Sequence, residues 1–125
     1  MKTSQIFTLL ASLFLLLAAC GGSSDLGPPP PPKAKTIVLE GPNELKFVPD
    51  SGTGKVGQEL KITLKNTGAL EHNFVWDESG EEVIATKAGE EKSISRTFDT
   101  AGEYGFHCSV PGHKEAGMVG KIIVK

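Results

Sequence analysis

The chain has 125 residues, with 13 basic against 15 acidic side chains, a formal charge of −2 and a hydrophobic fraction of 38%. That length builds one domain and leaves no room for a second. The slight acidity excludes a nucleic-acid binder that works through a basic face, because no surplus of Lys or Arg is available to neutralise phosphates.

In chain order, Lys2 supplies a positive start and Ile6 to Ala19 is almost wholly apolar, ending in small residues. This is the pattern of an export signal over residues 1–19. Its 14 apolar-biased positions fall short of the roughly 20 that a membrane-spanning helix needs. The segment Leu17-Ala18-Ala19-Cys20 resembles a bacterial lipobox. That resemblance implies that Cys20 is lipid-modified, heads the mature chain and tethers it to the extracytoplasmic side of a membrane. Removal of residues 1–19 takes away only Lys2 and leaves a charge of −3. Residues 20–34 then read as the anchor cysteine followed by a Gly/Ser/Pro-rich linker. Its five consecutive prolines, Pro28 to Pro32, make a stiff spacer about 15 Å long.

Residues 35–125 form a single all-β domain on this reading. Short runs rich in Val, Ile, Thr and Phe alternate with turn residues, and no long helical period is present. Leu60, Ile62 and Leu64 alternate with Lys61, Thr63 and Lys65, which predicts a strand with one buried face. Asn66-Thr-Gly68 turns the chain into a strand that sets His72, Phe74 and Trp76 on one face. Further strands are predicted at Val83 to Thr86, Ser93 to Phe98, Glu103 to Cys108 and Val119 to Val124, with turns at Glu78-Ser-Gly80 and Asp99 to Gly102. Tyr104, Phe106 and Cys108 share a face, so Cys108 ends a core-facing row. Tyr104 is placed to form the tyrosine corner of a Greek-key sandwich.

The densest chemistry lies in Cys108-Ser-Val-Pro-Gly-His113-Lys-Glu-Ala-Gly-Met118, where a thiolate, an imidazole and a thioether follow one another at five-residue intervals. With three histidines and two methionines in the chain, chance sets one of each at two given offsets from a cysteine with a probability of about 0.0004. Soft sulfur donors with imidazole suit copper, and a trigonal His₂Cys set with a long axial Met describes a blue-copper centre. His72, from another strand, supplies the second imidazole. Zinc fits less well, since it does not take a thioether and its structural sites carry paired cysteines. A dinuclear copper centre wants a second cysteine in this loop. A nucleophilic Cys108 lacks an evident orienting partner for its base. With Cys20 acylated, Cys108 has no disulfide partner, and a lone thiol outside the cytoplasm is protected by a bound ion.

These residues together resemble the type I blue-copper proteins of the cupredoxin superfamily, the plastocyanin and azurin group. The resemblance covers Thr36 to Lys125. It rests on Asn66-Thr-Gly68 with His72-Asn73-Phe74, on Gly102-Glu-Tyr104-Gly-Phe106-His-Cys108, and on Pro111-Gly112-His113 with Gly117-Met118-Val-Gly120. The four-residue gaps on both sides of His113 are closer to rusticyanin and related tethered bacterial cupredoxins than to plastocyanin. By resemblance, His72, Cys108 and His113 are equatorial ligands of one type I copper ion, and Met118 is the axial one. It also implies that Asn73 fastens the two ligand-bearing segments, with its N–H toward the Cys108 sulfur and its side chain on Ser109. An apolar patch of Leu70, Val110, Pro111 and Ala116 around His113 is then the electron port. His107 points away from the metal and reads as a surface residue or a second electron exit.

The function these residues imply is a tethered, monomeric one-electron carrier and not an enzyme. It exchanges electrons with redox proteins such as a cytochrome or a membrane complex. A copper chaperone or store is the alternative, although the chain lacks the Met-rich or His-rich tracts that would favour it. A catalytic multicopper domain would need His-x-His pairs, and the sequence has none.

Overall fold

A computed structural model describes residues 27–125. The leader, Cys20 and the start of the linker lie outside these residues. Residues 27–34, including Pro28 to Pro32, are exposed and join no strand.

Eight strands follow: β1 (Lys35–Gly41), β2 (Ser51–Gly54), β3 (Glu59–Asn66), β4 (His72–Trp76), β5 (Glu82–Thr86), β6 (Glu91–Thr97), β7 (Gly102–His107) and β8 (Val119–Val124). They form a three-stranded sheet in the order β1-β3-β6 and a five-stranded sheet in the order β2-β8-β7-β4-β5. The chain changes sheet repeatedly, so β1 meets β3 and β2 meets β8 in parallel while the other pairs are antiparallel. This is an all-β Greek-key sandwich.

The core lies between the sheets. Leu60, Ile62 and Leu64 are fully buried from β3. They face Phe74 and Trp76 of β4, Phe106 of β7 and Ile122 of β8 within one cluster. Phe74 and Phe106 stack at 4.5 Å between centroids, and Phe47 meets Phe106 edge-on at 5.1 Å. Two strands depart from simple alternation. Thr63, expected on the solvent face of β3, is buried and shares a 2.8 Å hydrogen bond with Ser93 of β6, a cross-strand hydroxyl pair. All five residues of β4 are buried, in a strand that lies inside its sheet between β7 and β5. The Tyr104 hydroxyl donates to the Thr100 carbonyl at 2.8 Å, closing the tyrosine corner.

One pole of the sandwich gathers the segments that matter. Gly41 at the end of β1 lies opposite Asn66 at the end of β3. In the other sheet His72 opens β4 opposite Thr86, and His107 ends β7 opposite Val119.

Candidate metal centre

His72 reaches the pole because the turn before it is fastened from within. The Asn66 carboxamide accepts from Gly68 N at 3.0 Å and donates to the carbonyls of Leu70 at 2.7 Å and Thr86 at 3.1 Å. The Thr86 hydroxyl donates to the His72 carbonyl at 3.1 Å. The imidazole is fully buried, and its Nε2 lies 3.2 Å from the Pro42 carbonyl oxygen. A carbonyl only accepts, so Nε2 carries the proton and Nδ1 keeps a free lone pair aimed inward.

The second segment begins one residue beyond β7. Cys108 is fully buried, and its amide donates to the Met118 carbonyl at 3.0 Å. Met118 N donates in turn to the His113 carbonyl at 2.9 Å, and His113 N to the Val110 carbonyl at 3.0 Å. These bonds fold residues 108–118 into a closed loop whose three chemically distinctive side chains turn toward the core. Gly112 at φ 84° and Gly117 at φ 105° occupy left-handed conformations that a side chain would strain.

The two segments converge. His72 Nδ1 and His113 Nδ1 lie 3.3 Å apart, and Cys108 Sγ lies 3.5 Å from His113 Nδ1. All three donor atoms fall within 4.8 Å of one another. Met118 is fully buried beside them, since an ideal Cβ at Gly41 would stand 2.8 Å from His72 Cδ2 and 3.4 Å from Met118 Cε. Gly41 therefore leaves the space that the imidazole and the thioether share. Sequence reading missed Gly41 and Pro42. Only the glycine hints at such a close approach, and a supporting carbonyl leaves no mark on residue type.

Asn73 ties the two segments together. Its amide points at Cys108 Sγ at 3.5 Å, its Oδ1 accepts from Ser109 N at 2.7 Å, and its Nδ2 donates to Ser109 Oγ at 2.9 Å. The same Nδ2 donates to Glu82 Oε2 at 2.5 Å, a contact sequence reading did not foresee.

Burial sets the protonation of the free donors. Desolvation pushes the Cys108 thiol above its ordinary range, partly offset by the backbone amides of Asn73 and Val110, while the charges of Glu82 and Glu71 add to the rise. The His72 imidazole is pushed down, first by burial and then by the neighbouring His113, so it rests neutral with its lone pair available.

Around the pocket, His113 is 6% exposed, whereas Leu70 is 48% exposed and Pro111 and Ala116 are also on the surface. Val110 is half-buried against the core. His107 is less open than a surface reading expects. Its side chain is 14% exposed, and its Nδ1 is 2.5 Å from Asp77 Oδ1.

The donor set fits one copper ion. Two imidazole nitrogens held about 2.0–2.1 Å from a shared ion must lie within roughly 4 Å of each other, and these lie at 3.3 Å. One thiolate, two imidazoles and a thioether in a dry pocket are soft enough for copper and poor in the oxygen that harder ions require.

Fold and pocket define the class: a β-sandwich with a mononuclear site for a soft metal at one pole. The family described as copper binding proteins, plastocyanin/azurin family, matches residues 34–125, and the chain belongs to it. Its cofactor is one copper ion of type I. Plastocyanin B of Populus nigra is 40% identical over 91 residues, covering 64% of this chain and 52% of that protein. The copper-resistant cuproprotein CopI of Rubrivivax gelatinosus is 27% identical over 110 residues, covering 73% and 67%. Among solved structures, auracyanin A of Chloroflexus aurantiacus, described as a "blue" copper protein, superposes with a TM-score of 0.66 at 25% identity over 75% of this chain and all of that one. Reduced auracyanin of Roseiflexus castenholzii gives 0.63 at 26% identity, covering 75% and 99%.

Proposed function

We propose that this protein is a one-electron carrier that works outside the cytoplasm, tethered by lipid at Cys20, and that it transforms no substrate. The observation that carries the reading is the convergence of His72, Cys108 and His113 within 4.8 Å in a buried pocket. Those three residues hold the copper, with Met118 as the axial donor. The ion supplies one redox step, between Cu(I) and Cu(II).

The protein's own contribution is rigidity and access. The Asn66 clamp, the Asn73–Ser109 bonds and the closed 108–118 loop fix the donors in one place, so little rearranges when the charge changes. Burial of the donors excludes water. Leu70, Pro111 and Ala116 are exposed and Val110 is half-buried, which supports their reading as an apolar port beside His113 where a partner surface can seat. The partners are redox proteins that donate and accept single electrons, and the chain acts as a monomer. No helix among the described residues is long and apolar enough to cross a membrane. On this reading attachment rests on the lipobox-like segment at Cys20, with the proline run as a spacer.

The likeness to CopI, named as a copper-resistant cuproprotein, favours a second reading in which the protein binds copper without redox turnover. Voltammetry of the copper-loaded chain with its visible spectrum separates the two. A reversible one-electron wave and an intense thiolate-to-copper band support the carrier. A colourless protein that holds only Cu(I) supports the copper binder.

A further inference from the structure

β5 sets a charge beside the outer face of β4 that the core pattern would not place there. β4 and β5 pair as Asn73 with Ala85 and Phe74 with Ile84, but then as Val75 with Glu82, so the register slips by one residue and Val83 is left over. An undisturbed antiparallel register would set Val83 opposite Val75 and Glu82 opposite Trp76, on the core face. A single extra residue moves every side chain beyond it to the other face. The bulge thus delivers Glu82 to the same face as Asn73, where its carboxylate accepts from Asn73 Nδ2 at 2.5 Å.

We propose that Glu82 is a positioning residue for the copper site that also lowers its reduction potential, acting through Asn73. This rests on the carrier reading above and adds to it the group that sets the poise of the site. A carboxylate only accepts, so it holds the Asn73 amide with its nitrogen outward, leaving Oδ1 for Ser109 N and the second N–H for Ser109 Oγ. Asn73 N in turn points at Cys108 Sγ. The negative charge stands one residue from the thiolate and favours the more positive Cu(II) over Cu(I). Glu82 is exposed, so solvent weakens its field, but the direct hydrogen bond keeps it in place.

The test uses the full chain loaded with copper and compares Glu82→Gln with Glu81→Gln at low ionic strength. Glutamine keeps an oxygen that accepts from Asn73 and removes only the charge. For Glu82→Gln the ratio of Cu(I) to Cu(II) at a fixed solution potential is expected to rise up to tenfold, equivalent to about 59 mV for one electron. Its visible band and copper hyperfine splitting stay as in the parent. Glu81→Gln, which alters a neighbouring acid with no bond to Asn73, is expected to change the ratio by less than about twofold. A Glu82→Gln ratio within about twofold of the parent, or an equal shift in Glu81→Gln, overturns the proposal while leaving the carrier reading intact. A parent chain with no blue band at all overturns both.

Discussion

At the level of single residues, the site depends on side chains whose neighbours leave little freedom. Met118 is fully buried with its methyl close to the space at Gly41, beside the His72 imidazole, and is the fourth donor in the proposed ligand set. Met118→Leu is expected to keep the thiolate band and raise the reduction potential, because the axial donor and the dryness of the pocket tune that potential. An unchanged potential in voltammetry would remove Met118 from the ligand set. Gly41 is the more sensitive position, since a methyl there would meet the His72 ring at 2.8 Å. The ring is held by Pro42 and cannot simply swing aside. Gly41→Ala is expected to broaden or shift the copper spectrum and to destabilise the protein by about 1–3 kcal/mol, as overpacking does, read by spectroscopy and thermal unfolding.

At the level of elements, loops rather than strands decide the site, and they are stapled by side-chain amides. Asn66 satisfies one carbonyl and one amide of the turn that delivers His72, and ties that turn to the Thr86 carbonyl of β5. Asn66→Ala strands these partly buried groups and is expected to cost about 1–3 kcal/mol, with weaker copper retention against a chelator. The sequence made much of this legible. The spacing of Cys108, His113 and Met118 named the metal because few side chains bind soft ions, and the alternation in β3 and in the run leading to Cys108 located the sandwich. Other parts left no trace in residue type. Pro42 acts through a carbonyl that every residue has. Glu82 reaches Asn73 only because β5 carries a bulge, a property of the pairing and not of the run Glu81-Glu82-Val83. Thr63 looked solvent-facing in a Lys-Thr-Lys alternation until Ser93 of β6 supplied its partner.

For the whole molecule, copper binding is linked to protons and to stability. The buried Cys108 thiol ionises above its ordinary range, so the metal-free protein holds that proton at pH 8, while His72 is already neutral. The ion takes the thiolate, and loading is expected to release about one proton per copper from Cys108, measured in weak buffer at pH 8 and absent in Cys108→Ser. The sign follows from the folded state binding the thiol proton more tightly than the unfolded chain. Without metal, the Cys108 contribution to stability is fully present below the unfolded thiol value and is lost as pH rises through the folded one. X-ray absorption at the copper edge tests the central claim most directly, because it reads the atoms around the ion. The account predicts one sulfur and two nitrogen neighbours at about 2.0–2.3 Å, with the sulfur lost in Cys108→Ser. A shell of nitrogen and oxygen alone in the parent protein would contradict it.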